Sequence, residues 1–497
     1  MDSAPAISVV QRSPFPWPTL VWVRLMVAPA LIFIATAIDR NYQTDFWHHL
    51  ARGQEMAAEG RIVNTDLFTF TVPGRPFQDV NWLTQLVYHH LYAWGGLEFV
   101  QFVNSLTLAT MMLLLVCLCW QQSKSLLLSA GMGVFTFFGL WQILLIRPQT
   151  VSLLLFIVMY GVLHLAMKQR RMLLVPPALV VLWSNVHGAF PLGCMLVSAF
   201  LMAQVWERRK FKWGILKDRT VLTWSACLAA CFLATFVNPY GWNVYDYVRG
   251  TSSTATNRGI EEWLPPGLNM LVGAVWVASL MLVMFVFAKA RRRPTALDVC
   301  LIAVFLPFAC SSTRMVAWWL IVSAPVIASL LATMLPNARD RESEPRTPLA
   351  AAFFGLLCGL SILCTPGLDR FNPLMGTLRS NHRIESDLAA IARNLRASDG
   401  GRVFSRLEWG EYLGWSLAPK CKVFIDGRIE IYPDDVWQKY SAITAARTDW
   451  QTILDAYQVN YLVLDRTYHF DLLPQVEQSP DWKPVAEHGA AMLFARQ

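Results

Sequence analysis

The segment Thr44-Asp45-Phe46-Trp47-His48-His49-Leu50-Ala51-Arg52 places a carboxylate, two imidazoles and a guanidinium on one short stretch. On a helix, Asp45, His48 or His49, and Arg52 share a face at i, i+3 or i+4, and i+7. A carboxylate beside an imidazole can take or orient a proton. A guanidinium offers paired donors to a phosphate. Asp45 is therefore the first candidate for a base. Two other roles are open to it: a helix cap, since Thr-Asp suits an N-terminus, or an ion pair with Arg52. Asp66 is the second candidate, although Asn64-Thr65-Asp66 is also ordinary turn sequence. Asp79 is the third.

Four basic groups stand on otherwise charge-poor loops: Arg147, His187 and Arg314 at the ends of three helix pairs, and Arg258 on a loop over 238–267. As a set they suit a phosphate. Singly, each suits an interfacial side chain touching lipid headgroups. Asn185-Val186-His187-Gly188 interrupts an apolar stretch. It is either a helix turn with Gly188 for close packing or a polar bend lining a cavity, and the cost of Asn and His there favours the bend. A divalent metal is open but not required. Adjacent histidines diverge on a helix by about 100°. Glu261-Glu262-Trp263 could add oxygens, and hard cations need several.

The elements that must position these groups are membrane helices. The chain has 497 residues, 55% hydrophobic and 15% charged, against roughly 25% charged in soluble domains. Its mean hydropathy is +0.38. Apolar runs predict about eleven spans, near 20–38, 97–120, 125–146, 148–167, 172–185, 188–206, 221–237, 268–289, 297–311, 314–335 and 348–365. The fifth and ninth are short. Lys124, Lys168 with Arg170 and Arg171, Arg208 through Arg219, Lys289 through Arg293, and Arg339 through Arg346 all fall in alternate loops. That is the positive-inside pattern with a cytoplasmic N-terminus, and an odd span count puts the C-terminal region outside. The net charge of +8 is thereby absorbed, and no nucleic-acid partner is expected. Ala35-Thr36-Ala37 has the form of a signal-peptidase site, but an uncleaved first helix is the preferred reading.

Residues 1–369 read as the transmembrane domain with a first outer loop at 39–96. Residues 370–497 read as an extracytoplasmic α/β domain. Strands are expected at Arg402–Ser405, Lys422–Ile425, Tyr461–Leu464 and Ala491–Phe494, and helices at 383–396, 434–446 and 449–457. In the first loop, Phe46, Leu50 and Met56 are expected to face the membrane from an interfacial helix. Trp409, Tyr412 and Trp415 are expected in the core of the C-terminal domain, with a ligand platform as the alternative. Arg428 is expected to pair with Asp426 or Glu430.

The loop carries Asp45, an aromatic-rich helix, "ARGQEMAAEGRI", a "GRPF" turn and "NWLTQLVYHHLYAWGG". This order resembles the first extracytoplasmic loop of GT-C class glycosyltransferases, such as protein mannosyltransferases and aminoarabinose and oligosaccharide transferases. The resemblance implies a sugar donor linked to polyprenyl phosphate, transfer on the non-cytoplasmic face and inversion at the anomeric carbon. Asp45 matches the family's acidic position, with Asp45-Phe46 standing where the family has Asp-Glu. The whole chain is similar to a group of bacterial membrane proteins sharing "RPQT" (147–150), "NVHGAF" (185–190), "VNPYGW" (237–242) and "VFIDGRIEIY" (423–432). The expected product is a multi-pass, GT-C-like protein of the plasma (inner) membrane whose lipid, glycan or protein acceptor is not named by sequence. The rival readings are a lipid-linked glycan transporter and a non-catalytic membrane scaffold.

Overall fold

The computed structural model describes residues 20–38, 44–209, 217–338, 347–368, 371–372 and 384–497. The expected domain boundary at 370 and the basic loop at 339–346 lie outside the described residues. Thirteen helices lead the described chain: α1 (Leu20–Ile38), α2 (Thr44–Glu59), α3 (Trp82–Ser123), α4 (Leu126–Leu140), α5 (Pro148–Ala166), α6 (Val175–Val186), α7 (Pro191–Arg208), α8 (Arg219–Ala234), α9 (Val244–Asn257), α10 (Leu271–Lys289), α11 (Ala296–Ser311), α12 (Val316–Met334) and α13 (Pro348–Leu363). Each of the eleven expected spans coincides with one of them. Among the described residues, six helical segments are long and apolar enough to cross a membrane. With 12 residues, α6 rises only about 18 Å, well short of a hydrocarbon core of roughly 30 Å.

The longest helix, α3, is the spine, packing on α1, α2, α4, α5 and α12. It changes direction at Gly95 and Gly96, where Gly96 has φ 67°, a conformation that costs glycine nothing. Residues before the kink belong to the first loop, and those after it form the expected span. The central helix is α12. Trp318 and Trp319 are almost fully enclosed, and the Trp319 indole donates to Ser279 Oγ at 2.7 Å. The helix ends away from the first loop are also tied together. Ser125 Oγ donates to the Ala338 carbonyl and Arg170 donates to Thr220 Oγ1.

The C-terminal region comprises α14 (Ile384–Ala397), β1 (Gly401–Ser405), α15 (Leu407–Leu417), β2 (Cys421–Val423), α16 (Asp434–Thr444), α17 (Trp450–Ala456), β3 (Tyr461–Asp465), α18 (Leu473–Gln478), β4 (Trp482–His488) and β5 (Ala491–Arg496). Its sheet runs β2-β1-β3-β5-β4. The first three strands are parallel, and β5 runs antiparallel to β3 and β4. The four expected strands and three expected helices are present. Unforeseen were β4, an edge strand with Pro484 and mostly exposed residues, the short α18, and α15. Gly410 and Gly414 weaken the helical propensity of α15. Its burial on nearly all sides erases any periodic signal.

One expectation is corrected. Phe46, Leu50 and Met56 of α2 do not face the membrane; they are buried in protein. Phe46, Trp47 and Leu50 share a core with Tyr88 of α3 and with Trp409, Tyr412 and Leu413 of α15. Trp47 lies 5.0 Å from Tyr412 and 4.4 Å from Trp415 between ring centroids. The amphipathic stripe of α2 was real, but its partner is α15, more than 350 residues along the chain, rather than lipid. Truncation of Phe46 to alanine is expected to lower stability by about 3–5 kcal/mol, as a core aromatic does. Thermal unfolding in detergent checks this, and a near-neutral result would restore the lipid-facing assignment.

Candidate functional site

A cavity of about 1040 Å³ lies between the helices and the C-terminal region. Asp45, His48, His49 and Arg52 of α2 line it, with Arg147, His187 and Arg314. Apolar residues of the helical layer form another wall: Leu192 and Met195 of α7, Phe308 of α11 and Trp318 of α12. The C-terminal region contributes Glu408, Glu411, Arg428 and Glu430.

The charges are arranged as a chain. Arg147 Nη1 donates to Glu262 Oε2 at 3.0 Å. Its Nε approaches Asp45 Oδ2 at 2.7 Å, a charge contact without hydrogen-bond alignment. Arg314 lies 3.7 Å from Glu262 Oε1, and its Nε donates to Gln149 Oε1 at 3.1 Å. Burial works against the Arg147 charge, but Asp45 and Glu262 more than offset it, holding Arg147 firmly cationic. Asp45 thus pairs with Arg147, not Arg52. Among the described residues no three His, Cys, Asp or Glu groups converge as a metal set. The carboxylates of Asp45 and Glu262 are bridged by the Arg147 guanidinium.

The histidines are neutral donors. The Ala189 N–H donates to His187 Nδ1 at 3.4 Å, so that nitrogen is an acceptor, and Ser152 Oγ, which accepts from the Trp183 indole at 2.7 Å, donates to it at 2.9 Å. The proton of His187 therefore sits on Nε2. Burial, then Arg314, lowers its pKa to about 3. The Gln85 amide nitrogen donates to Asp79 Oδ1 at 2.7 Å and to His49 Nδ1 at 3.0 Å, which likewise leaves the His49 proton on Nε2. Burial first, then neighbouring charges, drives both His48 and His49 well below the usual histidine range.

Three predicted residues are committed to structure. Arg52 is fully enclosed. It donates to Asp79, Glu55, and the Thr65 and Val63 carbonyls, tying α2 to the loop that follows. Asp66 lies outside the cavity lining. It accepts from Thr69 Oγ1 at 2.7 Å and from Arg428 Nη2 at 2.6 Å. Arg258 also lies outside, reaching the Ile429 and Tyr432 carbonyls and Asp434. It clamps α9 onto the C-terminal region.

The shared sequence marks are joints around this cavity. Asn185 Oδ1 accepts from the Trp82 indole, and its amide donates to the Val237 carbonyl. The Asp79 N–H donates to the Tyr240 hydroxyl. In "VFIDGRIEIY", Val423 pairs with Thr69, while Tyr432 donates to Asp426, which holds Arg428. Sequence reasoning passed over Glu411 and Glu430 as site residues. The only signal was their nearness to Trp-Gly and Asp-Gly turns.

The fold is that of a multi-pass helical membrane protein of the GT-C type. Among solved structures, the archaeal oligosaccharyltransferase AglB from Archaeoglobus fulgidus, in complex with an inhibitory peptide and a dolichol-phosphate, is similar with a TM-score of 0.55. Identity is 12%, covering 96% of this chain and 74% of that one. The apo form of the Archaeoglobus fulgidus oligosaccharyltransferase gives the same TM-score, identity and coverage. The form tethered to an acceptor peptide containing the NVT sequon gives 0.55 at 11% identity, over 96% and 74% of the two chains. No family model and no curated protein matches the sequence.

Two outcomes test the site. Asp66→Ala leaves Arg428 with one buried partner fewer and is expected to cost roughly 3–5 kcal/mol in unfolding free energy; a change within experimental error would show the clamp to be dispensable. Burial pushes Glu430 from the ordinary 4.5 up to about 7. The folded state therefore holds this proton more tightly than the unfolded one. Its contribution to stability is full below pH 4.5 and is lost as pH rises through about 7. Glu430→Gln is expected to remove that part of the pH dependence in unfolding scans at pH 5 and 8.

Proposed function

We propose that this chain is a glycosyltransferase that moves a sugar from a polyprenyl-phosphate donor to a lipid, glycan or protein acceptor. The observation that carries the reading is the cavity in which Asp45, Arg147, His187 and Arg314 meet beneath the C-terminal region. The GT-C type of fold and the dolichol-phosphate bound by a structural neighbour give it further support. The apolar wall from α7, α11 and α12 suits the lipid chain, and the polar wall suits sugar and phosphate.

In the proposed reaction the bond between the anomeric carbon and the phosphate oxygen breaks, and its electron pair leaves with the phosphate. Arg147, Arg314 and the Nε2–H of His187 neutralise that developing charge. The acceptor oxygen bonds to the anomeric carbon, and its proton passes to Asp45. The Arg147–Asp45 contact sets the base beside the leaving-group cations. Arg147 and Arg314 take the part a divalent ion would otherwise have.

The reading places the cavity on the non-cytoplasmic side of the plasma membrane. Helix ends lining the cavity carry Arg147, His187 and Arg314. The opposite ends carry Lys124, Lys168, Arg170, Arg171 and Lys289 through Arg293, as the positive-inside rule requires.

Purified protein is incubated with a panel of polyprenyl-phosphate sugars and acceptors, and release of the free lipid phosphate is followed by mass spectrometry. Asp45→Asn is expected to reduce turnover about 10²–10⁴-fold, and Arg147→Ala about 10²–10³-fold. A chelator is expected to leave the rate unchanged. Equal turnover by Asp45→Asn and wild type would remove Asp45 as base, and absence of turnover with every donor and acceptor would sink the reaction.

A further inference from the structure

One wall of the cavity consists of polar atoms with unmet hydrogen-bonding demand. Glu411 is 1% exposed, and neither of its carboxyl oxygens has a hydrogen-bond partner among the described residues. His48 Nδ1 stands 3.4 Å from Glu411 Oε2, and it too lacks an aligned bond. Gln85, 2% exposed, spends its amide nitrogen on Asp79 and His49 and leaves Oε1 without a partner. Arg428 spends Nε and Nη2 on Asp426 and Asp66 and leaves Nη1 without one. Gln78 Oε1 and Asn81 Oδ1 lack partners too, as do Gln149 Nε2 and Thr251 Oγ1 elsewhere in the lining. All of these residues line the same cavity.

Glu411, His48 and Gln85 are linked through His49. Glu411 meets His48, the His48 and His49 rings lie 4.0 Å apart, and His49 bonds to Gln85. Space has been left for the carboxyl. A Cβ on residue 427 would fall 1.8 Å from Glu411 Oε1, so Gly427 is what admits it. Burial, reinforced by Asp45 and Asp426, pushes Glu411 well above the usual carboxylate range. A carboxylic acid carries one donor and spare acceptors.

The chemistry of the set selects the ligand. Amide oxygens present lone pairs that repel a phosphate, and a protonated carboxyl both donates and accepts. They need a partner that donates as well as accepts, and Arg428 Nη1 supplies a donor in return. Hydroxyl groups do both. We propose that Glu411, Gln85, Arg428, Gln78, Asn81 and His48 form a subsite for the hydroxyl groups of a sugar, distinct from the cation pair Arg147 and Arg314. The proposal rests on the glycosyl-transfer reading and adds which wall holds the sugar of the donor.

The test compares bare undecaprenyl phosphate with undecaprenyl phosphate carrying a hexose, a pentose or an N-acetylhexosamine. Binding to the full-length protein in detergent is measured by native mass spectrometry. Wild type is expected to prefer one sugar-bearing lipid over the bare one. Glu411→Gln, whose amide also donates and accepts, keeps that affinity within about threefold. Glu411→Leu weakens it about tenfold or more, with binding of the bare lipid phosphate unchanged. Gln78→Ala, which loses no existing bond through its oxygen, gives a smaller shift of the same kind and serves if Glu411→Leu does not fold. Unchanged preference in both Glu411→Leu and Gln78→Ala overturns the subsite, as does wild-type binding of bare and sugar-bearing lipids alike. Failure of wild type to bind any of the lipids overturns the glycosyl-transfer reading itself, and the subsite with it.

Discussion

Arg428 is the pin on which the architecture turns. Its guanidinium is 3% exposed and sits between Asp426 and Asp66, at 2.5 and 2.6 Å. Those two carboxylates come from the C-terminal region and the first loop. An arginine in such surroundings needs a countercharge, because an isolated buried charge is prohibitively costly, and two carboxylates supply it through Nε and Nη2. The pin therefore fixes the register of two segments 362 residues apart. Phe77 lies under both Arg428 and Arg52, at 5.4 and 4.5 Å, so the same ring is shared with the guanidinium that anchors α2. From that anchoring follow the positions of Asp45, His48 and His49.

The cavity is what remains between two layers held this way. Its helical wall is set by the stiff packing around α12, and its other wall by α15 and the turn at Gly427. Neither layer contains the site by itself. Asp45 contributes a charge that Arg147 and Glu262 complete, and His48 contributes a nitrogen that faces Glu411. Preorganised groups of this kind need little rearrangement when charge develops on a bound molecule.

The sequence disclosed the helical layer because hydrocarbon thickness imposes a run length that composition alone can reveal. It also disclosed Asp45, Arg147, His187 and Arg314, since charges on charge-poor loops stand out. Arg52 and Arg258 stood out equally, yet their guanidinium groups are spent on carboxylates and backbone carbonyls that hold the first loop and α9 in place. The pairing of Arg428 with Asp426 was expected, but its reach to Asp66 and the place of Glu411 stayed hidden for the opposite reason. Each residue sits in a segment whose local pattern is that of an ordinary core helix or turn, and their meaning comes from long-range contact with the first loop. The amphipathic face of α2 shows the same limit. An apolar stripe announces burial without saying whether lipid or protein covers it.

Both edges of the sheet are guarded. Residues of the first loop lie along β2, with Phe70 N–H donating to the Val423 carbonyl and Val423 N–H donating to the Phe68 carbonyl. At the far edge, β4 carries Lys483, Pro484 and a bulge between Pro484 and Ala486. A proline, a charge and a bulge are the devices that stop a free strand from recruiting another. Crowded in the plane of a membrane, neighbouring copies would hold their sheets edge to edge at high local concentration. This sheet offers a second copy little free ladder to extend.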